Sequence, residues 1–167
     1  VWLGDFAGNP RTREVFTRAL WSVRPDGLTP PTDDGNPGEL HGGLLAWLFD
    51  DGRFRSNWRR PEVGRYTGRL AVATACALAT APPASAPDWE PDGVWPEAGF
   101  AILRSDWGPN ATWLMLLGEH GDARLHGAGH EHVDATSFLL SAHGEDLVLD
   151  PGYINWDHHD KVRYARD

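Results

Sequence analysis

The densest group of chemistry-bearing side chains in the chain is Gly129-His130-Glu131-His132-Val133-Asp134, and Asp150 follows eighteen residues after His132 within Leu149-Asp150-Pro151-Gly152. Side chains alternate faces along an extended strand, so His130, His132 and Asp134 fall on one side of it. Imidazoles and a carboxylate gathered on one side can hold a metal ion or move protons. Seven of the eight histidines lie after residue 119, which concentrates this chemistry in the second half. Zinc takes neutral imidazole and carboxylate at about 2 Å from ligands that converge from different segments. His132 and Asp150 are the candidate metal ligands, with Asp134, His126 or a residue outside this chain as the third.

Each of these residues also has a plainer role. A single histidine can cap a strand end by bonding to backbone carbonyls, and Asp-Pro-Gly is ordinary turn chemistry. The ordered combination is what points to a site. His158-His159 is a weaker pair, because neighbours on a strand point opposite ways. Tyr164 lies in Arg163-Tyr164-Ala165-Arg166, where flanking guanidinium groups would stabilise a phenolate and suit it to proton transfer. It could equally be a packed strand tyrosine with its arginines in water.

The elements that must position these groups divide near residue 82. Before it, Val15, Phe16, Ala19, Leu20 and Val23 recur at helical spacing. A second helix is predicted from Gly38 to Phe49, and a third from Glu62 to Thr80, opened by Pro61 and closed by Pro82-Pro83. Pro25 to Pro37 reads as a loop. Residues 82–95 form a Pro-rich linker. Beyond it come strands: Phe100 to Arg104, Thr112 to Leu117, Ser137 to Ala142 and Asp146 to Leu149, the last two joined by the three-residue hairpin His143-Gly144-Glu145. The expected class is α+β, with helices first and antiparallel strands after them.

Composition narrows the partners. A chain of 167 residues can bury a sizeable core. The net charge of -9 argues against nucleic acid. It does not oppose an acidic polysaccharide, since a basic cleft can sit on an acidic protein. Nine tryptophans suit either sugar stacking or large packed cores. The one cysteine, Cys76, excludes an internal disulfide framework and reads as a small buried side chain. Leu70 to Ala81 is too short and alanine-rich to span a bilayer, so no membrane partner is expected. Val1 opens without a basic n-region, and no secretory signal is read there. The missing start methionine and the stop in patterned sequence at Asp167 predict a fragment.

Three stretches in order now carry a resemblance. Pro96-Glu97-Ala98-Gly99-Phe100-Ala101-Ile102-Leu103-Arg104, Gly129 to Phe138, and Leu147-Val148-Leu149-Asp150-Pro151-Gly152 resemble the heparinase II/III-like polysaccharide lyases. The resemblance implies an (α/α) toroid followed by an antiparallel β-sandwich. Residues 1–81 would be the closing helices of the toroid, and residues 96–167 the N-terminal part of the sandwich. It implies structural zinc on His132 and Asp150, with a third ligand past the chain end. The implied reaction is β-elimination on a uronate-containing acidic polysaccharide. His130 and Tyr164 match its catalytic positions, and Arg163, Arg166 and Trp156 are the candidate substrate contacts. A polysaccharide substrate implies a periplasmic or extracellular location; the oligomeric state is left open. Glu131 departs from the small residues usual between those histidines, and on a strand it would face away from the site.

Two other classes compete. One is a non-catalytic carbohydrate-binding or structural module with a zinc-organised sandwich, in which Trp89, Trp95, Trp107, Trp113 and Trp156 would stack on sugars. The other is a metal-dependent hydrolase that activates water at the histidine cluster. The isolated chain is expected to be inactive, because a sheet cut after its first strands leaves open edges and half a core.

Overall fold

The computed structural model of the chain describes residues 2–32, 37–56, 68–118 and 136–150. Two helices open the chain, α1 (Trp2–Gly8) and α2 (Pro10–Ser22). Asn9 caps α2 by accepting a hydrogen bond from the Arg11 N–H at 2.9 Å, and Pro10 occupies the first helical turn, where its missing N–H costs nothing. The predicted apolar stripe turns inward at Leu20 and Val23, but Val15 is 60 % exposed. Leu20 belongs to the core and Val15 to the wall of a cleft.

Two short strands follow, β1 (Leu28–Thr29) and β2 (Gly38–Glu39), paired antiparallel. The Thr29 hydroxyl donates to the Gly38 carbonyl and accepts from its N–H. This pairing holds Gly38 and Glu39 extended, so the second helix begins later than its apolar pattern predicts, at α3 (Gly42–Phe49). α3 ends where Asp50 turns left-handed at φ 50°. A 3-10 turn over Gly52–Arg55 follows, and then α4 (Gly68–Thr80). The predicted start of the third helix at Glu62 lies outside the described residues. Cys76 is exposed on α4 rather than buried; its neighbours Thr74 and Ala77 take the inward face instead. Leu45, Ala46, Phe49 and Phe54 form the core of this helical part.

Residues 82–92 carry no regular element, as the prolines require. Five strands then form one antiparallel sheet in sequence order: β3 (Gly93–Trp95), β4 (Phe100–Arg104), β5 (Trp113–Leu117), β6 (Phe138–Ala142) and β7 (Glu145–Val148). The class is therefore α+β. Period-two alternation gives the sheet two unlike faces. Ile102, Trp113, Met115, Leu117 and Leu139 point inward as one core, against which Trp21 of α2 packs. The other face bears Val94, Leu103, Leu116 and Phe138, all exposed. The last hairpin has two loop residues rather than three, since Ala142 pairs with Glu145. His143 and Gly144 both take positive φ, 57° and 78°, which makes a turn whose twist matches the strands. No helix among the described residues is long and apolar enough to cross a membrane.

Candidate functional site

The sheet brings three chain positions to one end. β5 finishes at Leu117, and β6 starts beside it: the Thr136 N–H donates to the Leu117 carbonyl at 2.7 Å, and the Leu117 N–H to the Ser137 carbonyl at 2.9 Å. Gly118 then donates to the Gly99 carbonyl at 2.6 Å, at the start of β4. Because β7 runs antiparallel to β6 with Val148 opposite Leu140, the strand returns to this same end, and half-buried Asp150 lies two residues beyond it. The segment that holds His126, His130 and His132 thus leaves and rejoins the described chain at the sheet end where Asp150 sits.

Of the candidate metal-ligating, catalytic and polar substrate-contact residues, Asp150 is the one the structure describes. It takes part in a non-covalent interaction. His126, His130, His132, Asp134, Trp156, Arg163, Tyr164 and Arg166 lie outside the described residues. Among the described residues, no group of three or more histidine, cysteine, aspartate or glutamate side chains could hold a metal ion. The donor chemistry of Asp150 suits zinc.

A cleft of about 510 Å³ opens beside this sheet end. Phe100 and Leu117 form its floor, Val15, Arg18 and Ser22 of α2 one wall, and Thr29 and Thr32 the other. A second cleft of about 420 Å³ adjoins it along α2, lined by Arg13, Arg18, Trp21 and Trp95 among others. Arg18 borders both. Sequence reasoning passed over it because it interrupts an apolar stripe. The signal was its spacing: Val15, Arg18, Ala19 and Ser22 recur at three and four, which places a guanidinium beside an open part of that stripe.

Trp21, Trp89, Trp107 and Trp113 do not form open sugar platforms. Trp21 stacks on Trp89 at 4.8 Å between centroids and meets Trp95 and Trp107 edge-on. Trp113 is wholly buried, with its indole N–H directed at the Trp21 carbonyl. These rings join the α2 end to the sheet, so Trp89, Trp107 and Trp113 act in packing rather than as stacking surfaces.

Two arginines belong to the same junction. Arg104 is buried, lies over the Trp107 ring at 4.3 Å and has its pKa pushed down to about 10 by burial, against the opposing pull of Asp106. Arg53 lies over Trp89 at 4.4 Å and pairs with Asp51 and Asp88. Burial works to raise the Asp51 pKa. Hydrogen bonds from Arg53, with the charges of Arg53 and Arg13, outweigh it and hold the carboxyl below its ordinary value.

Residues 90–167 match the family described as heparinase II/III-like, C-terminal. No curated protein matches. Among solved structures, the chain is similar to a heparan sulfate lyase HepC mutant from Pedobacter heparinus at a TM-score of 0.58 and 18 % identity, covering 92 % of this chain and 21 % of that one. It is also similar to a structure of heparinase III, at a TM-score of 0.61 and 16 % identity over 91 % of this chain and 24 % of that one. The chain thus spans about a fifth to a quarter of the length of those proteins.

Proposed function

We propose, from the match of residues 90–167 to the heparinase II/III-like C-terminal family, that the parent protein is a polysaccharide lyase acting on a uronate-containing acidic polysaccharide. The family match is the observation that carries this reading. The sheet supports it, because it returns Asp150 to the end where the histidine-bearing segment departs. In this reading residues 1–81 close an (α/α) toroid, residues 82–95 are the linking stretch, whose last three residues join the sheet as β3, and residues 96–167 begin a β-sandwich. A second sheet would cover the exposed face that carries Leu103, Leu116 and Phe138.

β-Elimination sets three demands. The uronate carboxylate must be neutralised so that the C5 proton becomes acidic, a base must remove that proton, and an acid must protonate O4 as the C4–O4 bond breaks. The electron pair released at C5 forms the C4=C5 double bond. His130 would serve carboxylate neutralisation or proton transfer. Tyr164 would be the phenolic proton-transfer group, with Arg163, Arg166 and Trp156 as substrate contacts. His132 and Asp150 would hold zinc, which when bound would fix the segment that presents His130. A polysaccharide substrate would place the parent in the periplasm or outside the cell.

The test is to incubate the full-length parent with heparin, heparan sulfate and alginate and follow the ultraviolet absorbance of the unsaturated product. A hydrolase would release product without that chromophore. Elemental analysis gives the zinc content, which His132→Ala and Asp150→Asn should each lower.

A further inference from the structure

The wall of the α2 cleft carries a cation that the described residues leave unanswered. The Arg18 Nε is buried without a hydrogen-bond partner, and Arg18 takes part in no ion pair among the described residues. Arg24, Arg55 and Arg104 also have a buried nitrogen without a partner, but each makes hydrogen bonds through its other nitrogens, whereas the Arg18 side chain makes none among the described residues. Arg13 pairs with Asp51, Arg24 with Asp26 and Asp146, and Arg53 with Asp51 and Asp88. Glu14, one turn earlier on α2 and in the wall of the smaller cleft, is spaced to pair with Arg18 but does not. A buried donor left unsatisfied is costly, and natural structures retain few of them.

The surroundings say what the guanidinium, rather than its enclosed Nε, would meet. Arg18 lines both clefts, which together make up the groove along α2. On one side lie the hydroxyl residues Ser22, Thr29 and Thr32. On the other lie Thr17 and the half-buried rings of Trp21 and Trp95. A guanidinium fork matches a carboxylate or sulfate, and the Thr32 hydroxyl suits a sugar hydroxyl; the Ser22 hydroxyl already donates to the Ala19 carbonyl and that of Thr29 is taken up by Gly38. The larger space, about 510 Å³, is of ordinary size for a ligand site.

We propose that Arg18 binds the carboxylate or sulfate group of an acidic oligosaccharide in the groove along α2. The proposal rests on the acidic-polysaccharide reading above and adds a substrate-binding residue from the helical part of the chain. Binding here would bring the sugar to the sheet end marked by Phe100 and Leu117, beside the departure of the histidine-bearing segment.

The test measures binding directly, on the full-length parent and its Arg18→Gln and Arg18→Lys variants. The probes are a heparan sulfate hexasaccharide, an unsulfated alginate hexasaccharide and a neutral cellohexaose, read by calorimetry, with lyase KM and kcat where turnover occurs. Arg18→Gln should weaken the acidic probes by about tenfold, the loss typical of one charge-assisted hydrogen-bonded pair. Arg18→Lys should weaken them less, and cellohexaose should respond to neither variant. Loss on both acidic probes identifies a carboxylate, and loss on the sulfated probe alone identifies a sulfate. KM should rise while kcat stays within about twofold, as for lost uniform binding. Equal affinity for the acidic probes in the parent and both variants would overturn the proposal, as would no binding of either acidic probe by the parent. Arg18-dependent binding without unsaturated product would instead retain this inference and remove the lyase reading.

Discussion

Arg24 and Asp146, 122 residues apart in the chain, meet at 3.0 Å and tie the end of α2 to β7. The Arg24 side chain is 5 % exposed and Asp146 29 %. Asp146 uses its other oxygen to accept from the Ser141 hydroxyl at 2.6 Å. One carboxylate therefore bridges the end of α2 and the strand that leads into Asp150.

Removing that carboxylate should loosen the junction. Asp146→Ala leaves Arg24 with Asp26 as its remaining acidic partner and should cost about 2 kcal/mol, between a charged hydrogen bond and a fully buried ion pair. Asp146→Asn keeps a partner for Ser141 and should cost less. Urea unfolding of the parent followed by tryptophan fluorescence reads both. An Asp146→Ala midpoint equal to wild type would show that the junction does not depend on this pair.

The Asp51 cluster gives a pH signature. Its folded-state pKa is lowered, so the stability it contributes is present above the unfolded carboxylate value and is lost as pH falls through the folded value. Asp51→Asn should therefore be less stable than wild type at pH 7, and the gap should begin to close below about pH 4, near the model-peptide carboxylate value. Denaturation midpoints of the two forms between pH 7 and pH 3 measure this. A gap that stays constant down to pH 3 would contradict it.

The β6–β7 turn holds a histidine in a left-handed conformation, at φ 57°. Asparagine tolerates that region better, and a β-branched residue much worse. His143→Asn should stabilise by about 0.5 kcal/mol and His143→Val destabilise by about 1–2 kcal/mol, the strain of a branched side chain at positive φ. Thermal unfolding of the two variants decides it, and the reverse order would contradict the turn.

These particulars show why sequence reading reached some elements and missed others. Strands β4 to β7 were legible to within a residue or so because period-two alternation and Gly-containing turns are local signals. The start of α3 was not, since the Thr29 to Gly38 pairing that holds Gly38 extended joins residues nine apart. Cys76 looked buried in an apolar run, yet the α4 face that turns inward is chosen by what packs against it. The tryptophans invited a sugar-stacking reading because composition does not show that Trp21, Trp89 and Trp107 cover one another. At the site, motif order pointed to Asp150 at the sheet end. Arg18 went unnoticed because an arginine in a helix has no meaning until its missing partner is seen.

The most direct measurement is the ultraviolet absorbance of the unsaturated sugar released by the full-length parent, compared with His130→Ala, on heparin, heparan sulfate and alginate. The lyase reading predicts rising absorbance with the parent on at least one of them, and loss of at least about a hundredfold in rate in the variant, as for removal of a proton-transfer group. No absorbance from any polyuronate with zinc bound, or equal rates in parent and variant, would contradict it.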